Sequence, residues 1–274
     1  MLVKRIATAA LGIPFSIFTI NYGSWMYGIT ISFFAMVAWY EYSNMIPRDK
    51  GKPAFWTGAL GVAFFLGCAW QGSPFETVAV ITALTLVMTA RMVFAFNSFS
   101  LTDAALSLLG IVYVGFTFSH LLLLRYIDIA HAGLPVHSLS YGAVFVWIAF
   151  LGTWASDTFA YFVGSAWGRT KLCPDVSPSK TREGAAGGLI GSVVTVIAFG
   201  SMYHIPLYHL VALGFIVGIA APVGDLVESA IKRAAGVKDS GRFFPGHGGV
   251  LDRFDSIMFA VPAVYYYVQL ILSR

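Results

Sequence analysis

Apolar residues in this chain fall into long runs separated by short polar segments. The runs are 6–20, 26–45, 54–70, 75–90, 104–124, 141–163, 185–203, 206–227 and 254–272. A helix needs roughly 20 apolar residues to cross the hydrocarbon of a bilayer. Most of the runs meet that length, and 54–70 and 75–90 fall short of it. The pattern predicts an all-α, polytopic integral membrane protein with about nine transmembrane helices. The first run follows Lys4 and Arg5 as a secretory leader would. Asn21-Tyr-Gly-Ser24 after it lacks a small-x-small cleavage site, so it is read as an uncleaved first span.

Composition agrees with this reading. The 274 residues are 58% hydrophobic and 11% charged, with a mean hydropathy of +0.76. Soluble domains carry about 25% charged residues, so a soluble globular fold is excluded. Two cysteines, Cys68 in an apolar run and Cys173 in a polar one, give neither a disulfide framework nor metal-ligand spacing. Nucleic acid is not an expected partner, because the basic residues sit in short loops and form no continuous face. Their distribution does orient the chain. With nine spans and a cytoplasmic N-terminus, fifteen of the seventeen Lys and Arg fall on the inside, leaving Arg125 and Arg274 outside. This arrangement puts the two long polar segments, 164–184 and 228–253, on the same cytoplasmic face. Residues 1–140 then read as a scaffold open to lipid and to an oligomer contact, with a homodimer in view. Residues 141–274 read as the catalytic half.

Chemistry concentrates between Asp225 and Asp255, which hold five of the thirteen acidic and five of the seventeen basic residues. Asp225, Glu228, Ser229 and Lys232 are spaced i, i+3, i+4 and i+7, one face of a helix. Asp252-x-x-Asp255 again sets two carboxylates on one face. Between them Pro245-Gly-His-Gly-Gly249 offers small residues that let backbone approach a ligand closely. Clustered carboxylates suit a hard, oxygen-seeking cation such as Mg²⁺, which often bridges to substrate phosphates. The interleaved Lys and Arg suit the phosphates.

Read as S-x-x-K-R-x(4)-K-D-x-G-x-x-F-P-x-H-G-G-V-x-D-R-F-D, residues 229–255 resemble the signature of the phosphatidate cytidylyltransferases, or CDP-diacylglycerol synthases. A second match lies upstream. Ser156-Asp157-Thr158-x-Ala160-Tyr161-x-x-Gly164 and Ser177-Pro178-x-Lys180-Thr181-x-Glu183-Gly184 resemble the same family, where this region contributes to the nucleotide site. Arg169 stands where the family is expected to carry Lys, and keeps the charge.

The resemblance implies transfer of CMP from CTP to phosphatidic acid, releasing pyrophosphate, in phospholipid biosynthesis. It implies Mg²⁺, with a second cation in a paired centre, held by Asp225, Asp252 and Asp255. Lys232, Arg233 and Lys238 would hold phosphates, with Ser229 near the metal. His247 would either donate to a phosphate oxygen or order the glycine loop. Ser177, Lys180, Thr181 and Asp157 would serve the nucleotide. A helix cap at Glu183 and topology-setting basic residues account for part of the 177–184 segment without invoking a ligand, but not for Asp157. A carboxylate inside an apolar helix is costly and usually faces a bundle interior or a wet cavity. The expected setting is a bacterial-type inner membrane with the active site facing the cytoplasm. Two other readings stay open: a CTP-dependent kinase of a polyprenol-type lipid and, in another class, a secondary transporter. Glu41, beside Trp39 and Tyr40 at the end of the second run, is read as an interfacial structural residue. The histidines at 120, 131, 137, 204 and 209 are read as structural.

Overall fold

The computed structural model describes residues 2–72, 74–129, 134–135, 139–246 and 248–272. His131, His137, His247 and Arg274 lie outside the described residues. The apolar runs are helical, for the reason that applies inside any bilayer: a segment without access to water must satisfy its backbone polar groups internally. Among the described residues five helices are long and apolar enough to cross a membrane: Glu76–Phe94, Leu101–Arg125, Tyr141–Trp167, Arg182–Tyr203 and Leu207–Ala235. Shorter apolar helices cover Ala10–Tyr22, Phe55–Gln71 and Ile257–Leu272.

The chain forms two compact units. The first comprises Met1–Leu123 and Lys232–Arg253, the second Leu124–Ile231 and Phe254–Arg274. In the first unit α1 (Leu2–Tyr22), α2 (Ser24–Met45), α3 (Phe55–Gln71) and α4 (Pro74–Phe94) are followed by α5 (Leu101–Gly110). A π-helical segment, Ile111–Phe116, joins α5 to α6 (Thr117–Arg125). Aromatic side chains from α2 fill places that glycines vacate: Trp39 lies against Gly58 of α3, and Tyr42 against Gly110 of α5. Their polar tips find backbone carbonyls, Trp39 Nε1 donating to Phe55 O at 3.0 Å and Tyr42 OH to Leu106 O at 3.0 Å. Trp56, Phe64, Phe94 and other large apolar residues of this unit are exposed, as surfaces that meet lipid tails are. His120 is buried against the Phe116 ring, and its Nδ1 lies 2.7 Å from Phe116 O, a packing role.

The second unit is built on α7 (Tyr141–Trp167), α8 (Arg182–Gly200) and α9 (Leu207–Ala235). Small residues let these helices approach closely. A Cβ placed on Gly188 of α8 would lie 2.7 Å from the Ser156 carbonyl oxygen of α7, and one on Gly191 2.5 Å from the Phe159 ring. The glycine pairs 184/188 and 187/191 are therefore packing positions. A one-turn α10 (Leu251–Phe254) and α11 (Ile257–Tyr267), extended by a π-helical segment Val268–Leu272, complete the chain. His209 of α9 is tied to α11 through Tyr267 OH, 2.8 Å from its Nδ1.

Two details depart from the expected pattern. The fold is mostly helical, as expected, with one short ribbon added: Lys171–Cys173 (β1) and Ser177–Thr181 (β2) pair antiparallel, Lys171 opposite Thr181 and Cys173 opposite Ser177. Pro174 and Pro178 disfavour helix here, and a two-stranded ribbon has only edge strands, where proline is tolerated. The second concerns Asp252-x-x-Asp255. The helix expected to carry both carboxylates is a single turn that ends at Phe254, and Asp255 lies in the turn before α11.

Candidate active site

In the second unit the polar groups of 156–184 and the Asp225 turn of α9 line one cavity of about 410 Å³. One face of α7 supplies Ser156, Asp157, Ala160, Tyr161 and Gly164, at helical spacing. The β2 strand supplies Ser179, Lys180 and Thr181, and α9 supplies Pro222 and Asp225. Asp157, singled out as an improbable charge in an apolar helix, is an exposed residue on the cavity wall.

The hairpin sets where Lys180 points. Arg182 N donates to Thr170 O at 2.9 Å, and the Glu183 carboxylate accepts the amides of Arg169 at 3.1 Å and Thr170 at 3.2 Å. These bonds fasten both ends of the ribbon to the start of α8. Thr181 is the N-cap, its Oγ1 accepting from Gly184 N at 3.1 Å. Its hydroxyl thus already has a structural task. Lys180 Nζ then meets Asp225 Oδ2 at 2.7 Å, and Ser229 Oγ donates to Asp225 Oδ1 at 3.3 Å. Both members of the ion pair are part exposed, at 24% and 32%. Gly224 brings a further carboxyl-bearing residue close: a Cβ there would lie 2.5 Å from the Asp255 carbonyl oxygen. The Asp255 side chain accepts the Ser256 amide at 2.7 Å. Ser177 is half-buried on β2 and does not line the cavity.

The rest of the signature belongs to the first unit. Helix α9 ends at Ala235, where Gly236, at φ +76°, turns the chain and Val237 N donates back to Lys232 O at 2.9 Å. Lys232 Nζ lies 2.7 Å from Asp252 Oδ1. Asp252 Oδ2 accepts three bonds: Gly249 N at 2.7 Å, Ser240 N at 3.0 Å and Ser240 Oγ at 3.0 Å. Gly248, at φ +90°, adopts a backbone that other residues rarely take, and a Cβ there would lie 2.6 Å from Asp252 Oδ2. Ser240, Gly248 and Gly249 therefore close around the Asp252 carboxylate. Arg233 and Lys238 are exposed. His247 lies outside the described residues.

The donor set suits a hard cation in a particular way. Among the described residues no three His, Cys, Asp or Glu side chains converge as a ready-made cage. Mg²⁺ seldom uses such a cage; it takes one or two carboxylates and completes its shell with water and substrate phosphates. Asp225, part exposed on a cavity wall, has the character of such a ligand. Asp252 is more constrained, with donors on both oxygens.

The partners of one residue were not legible in the sequence. Glu41 of α2, read as an interfacial structural residue, is 5% exposed, with its carboxylate against Gly241 and Gly249 of the signature. It accepts Leu251 N at 3.0 Å and lies 3.5 Å from Ser240 Oγ. The available signal was the cost of burying a carboxylate in an apolar helix, the argument already applied to Asp157.

Comparison with known proteins matches nearly the whole chain. The model of the cytidylyltransferase family covers residues 3–271. A protein of Bacillus subtilis named phosphatidate cytidylyltransferase is 32% identical, over 97% of this chain and 97% of its own. One of the same name from a Synechocystis species is 32% identical over 99% of this chain and 98% of its own. A third, from Staphylococcus saprophyticus, is 41% identical over 66% of this chain and 65% of its own.

Proposed function

This chain belongs to the cytidylyltransferase family, and from that membership we propose that it is a phosphatidate cytidylyltransferase of the membrane. It would join CTP and phosphatidic acid into CDP-diacylglycerol and pyrophosphate. The observation that carries this reading is the reach of the likeness. Relatives bearing that name align over 97% or more of both chains, so both polar segments fall inside the match.

In the reaction a phosphate oxygen of phosphatidic acid attacks the α-phosphorus of CTP. The bond from that phosphorus to the bridging oxygen of pyrophosphate breaks, and pyrophosphate leaves with the electron pair. No separate general base is required, because the lipid phosphate is already ionised near neutral pH. Both reactants are polyanions, so positioned positive charge must offset their repulsion. Lys180, Asp157, Ser177 and Thr181 are assigned to the nucleotide. Lys232, Arg233, Lys238 and His247 are assigned to phosphate oxygens, with Ser229 beside Asp225. Asp225, Asp252 and Asp255 would hold Mg²⁺ and a second cation, which supply charge for the phosphates and the leaving group. The pairing of Lys180 with Asp225 on a cavity wall supports this assignment, since it keeps an ammonium for phosphate and a carboxylate for a cation together at one cavity.

The setting proposed is a bacterial-type inner membrane with nine spans, the N-terminus and both polar segments on the cytoplasmic side. The distribution of basic residues supports it. The exposed apolar surface of the first unit would meet lipid or a second copy in a homodimer.

The test uses purified protein with phosphatidic acid and CTP labelled at either the α- or the γ-phosphate. Label from the α-position is expected in lipid, with one pyrophosphate per turnover. EDTA should stop the reaction and Mg²⁺ restore it. Transfer of γ-label with release of CDP would establish the lipid kinase reading instead, and no transfer of either label would leave the transporter.

A further inference from the structure

Glu41 stands 199 residues before Ser240 in the chain, yet its carboxylate is enclosed by the signature. Of its two oxygens, Oε2 accepts Leu251 N at 3.0 Å and lies 3.5 Å from Ser240 Oγ, while Oε1 is buried with no hydrogen-bond partner among the described residues. The same Ser240 donates its hydroxyl and amide to Asp252 Oδ2. One serine therefore sits between two carboxylates, Glu41 of α2 and Asp252 of the signature itself. Two glycines carry the imprint of Glu41. A Cβ on Gly241 would lie 2.3 Å from its Oε1, and one on Gly249 2.5 Å from its Oε2. Such distances are below any tolerated contact, so a side chain at either position competes with the carboxylate for space.

A buried carboxylate placed only for packing would be a poor choice. Burial without full hydrogen bonding disfavours the charged form, and an apolar residue of the same size would fill the space at lower cost. What Glu41 provides is a fixed acceptor for Leu251 N–H at the start of the one-turn α10, which carries Asp252. The contact resists displacement of Ser240 and Leu251 from α2. Phe34 of α2 adds a second hold, its ring centroid 6.4 Å from that of Phe243 and 6.1 Å from that of Phe244.

We propose that Glu41 is a positioning residue for the nucleotidyl transfer: from α2 it fixes the signature segment, and through Ser240 and Leu251 it sets the placement of Asp252. The glycines at 241 and 249 are the space its carboxylate requires. This inference rests on the cytidylyltransferase reading for its kinetic arm and on geometry alone for its structural arm.

The experiment compares Glu41→Ala, Glu41→Gln, Gly241→Ala and the double variant Glu41→Ala/Gly241→Ala in detergent. It reads steady-state kinetics with CTP and phosphatidic acid, and amide hydrogen exchange over 240–251. Leaving the buried Leu251 amide without its acceptor corresponds to about five- to a hundredfold. Glu41→Ala should lower kcat by about that factor, change both KM values by much less, and speed exchange at Leu251 and Ser240. Glu41→Gln keeps an acceptor oxygen for Leu251 and should recover part of kcat. Gly241→Ala should be impaired, and removing the Glu41 side chain should relieve that impairment, so the double variant exceeds Gly241→Ala in exchange protection. Unchanged kcat and exchange in Glu41→Ala, or a double variant worse than both singles, would overturn the proposal. If Glu41→Ala is not recovered folded, Glu41→Gln decides on the same readouts: unchanged exchange at Leu251 together with wild-type kcat overturns it. Were the wild type to transfer no α-label, the reaction reading would fail, while the exchange measurements would still judge the positioning role.

Discussion

Lys180 Nζ and Asp225 Oδ2 lie 2.7 Å apart, joining the β-ribbon after α7 to the polar end of α9 on the wall of one cavity. Each residue comes from a different sequence motif, and each was assigned a different partner: a nucleotide phosphate for Lys180, a metal ion for Asp225. The pair holds both side chains at one place in the fold.

Lys180→Ala removes the ammonium from the cavity wall while leaving the ribbon's hydrogen bonds to Glu183 in place. A charge-assisted contact contributes about 1.5–3 kcal/mol, so KM for CTP should rise about ten- to a hundredfold. The apparent affinity for phosphatidic acid should move less. Steady-state kinetics with each substrate varied in turn will check this, and an unchanged KM and kcat would reduce Lys180 to a marker of membrane orientation.

Asp225→Asn and Asp252→Asn should both abolish turnover but differ in stability. Asn at 225 retains an oxygen for Ser229. Asn at 252 must turn its NH₂ either toward Lys232 or toward the three donors from Ser240 and Gly249. Leaving a part-buried partner uncompensated costs on the order of 3 kcal/mol. Thermal unfolding in detergent should show a lowered Tm for Asp252→Asn and little change for Asp225→Asn. Wild-type turnover with unaltered Mg²⁺ dependence in either variant would remove that residue from the metal site.

Gly188→Val should open the packing of α8 on α7, because its Cβ meets the Ser156 carbonyl, a backbone atom that cannot swing aside. Overpacking of this kind costs about 1–3 kcal/mol. Gly67→Ala in α3 is the control, since a Cβ there meets nothing within 4 Å. Equal melting temperatures for the two variants would contradict the packing role of the α8 glycines.

For topology, Cys68 and Cys173 are replaced and single cysteines introduced at Asp49, Asp239 and Pro135, all exposed. An impermeant thiol reagent should reach 49 and 239 from the cytoplasmic side and 135 from the other. Labelling of 49 and 239 from opposite sides would refute the common-face arrangement.

By itself, the sequence determined the helices and the family to which the chain belongs. Length and continuity of the apolar runs were enough for the first, because backbone groups withdrawn from water have few other solutions. For the second, Asp157 in an apolar run and the spacing of Asp225, Ser229 and Lys232 on one helix face were local patterns, and local patterns survive folding.

Tertiary structure alone decided which charge answers which. Lys232 pairs with Asp252 and Lys180 with Asp225; spacing along the chain ranks none of these pairings above its alternatives, because ion pairs depend on where whole helices come to rest. The ribbon at 171–181 was hidden because two short strands bearing prolines leave almost no periodicity to read. Glu41 shows the limit most plainly. Its neighbours in sequence, Trp39 and Tyr40, argue for the membrane interface, whereas its neighbours in space are Ser240, Gly241, Gly249 and Leu251. A buried carboxylate announces in sequence that it needs donors, but only the packed fold supplies them.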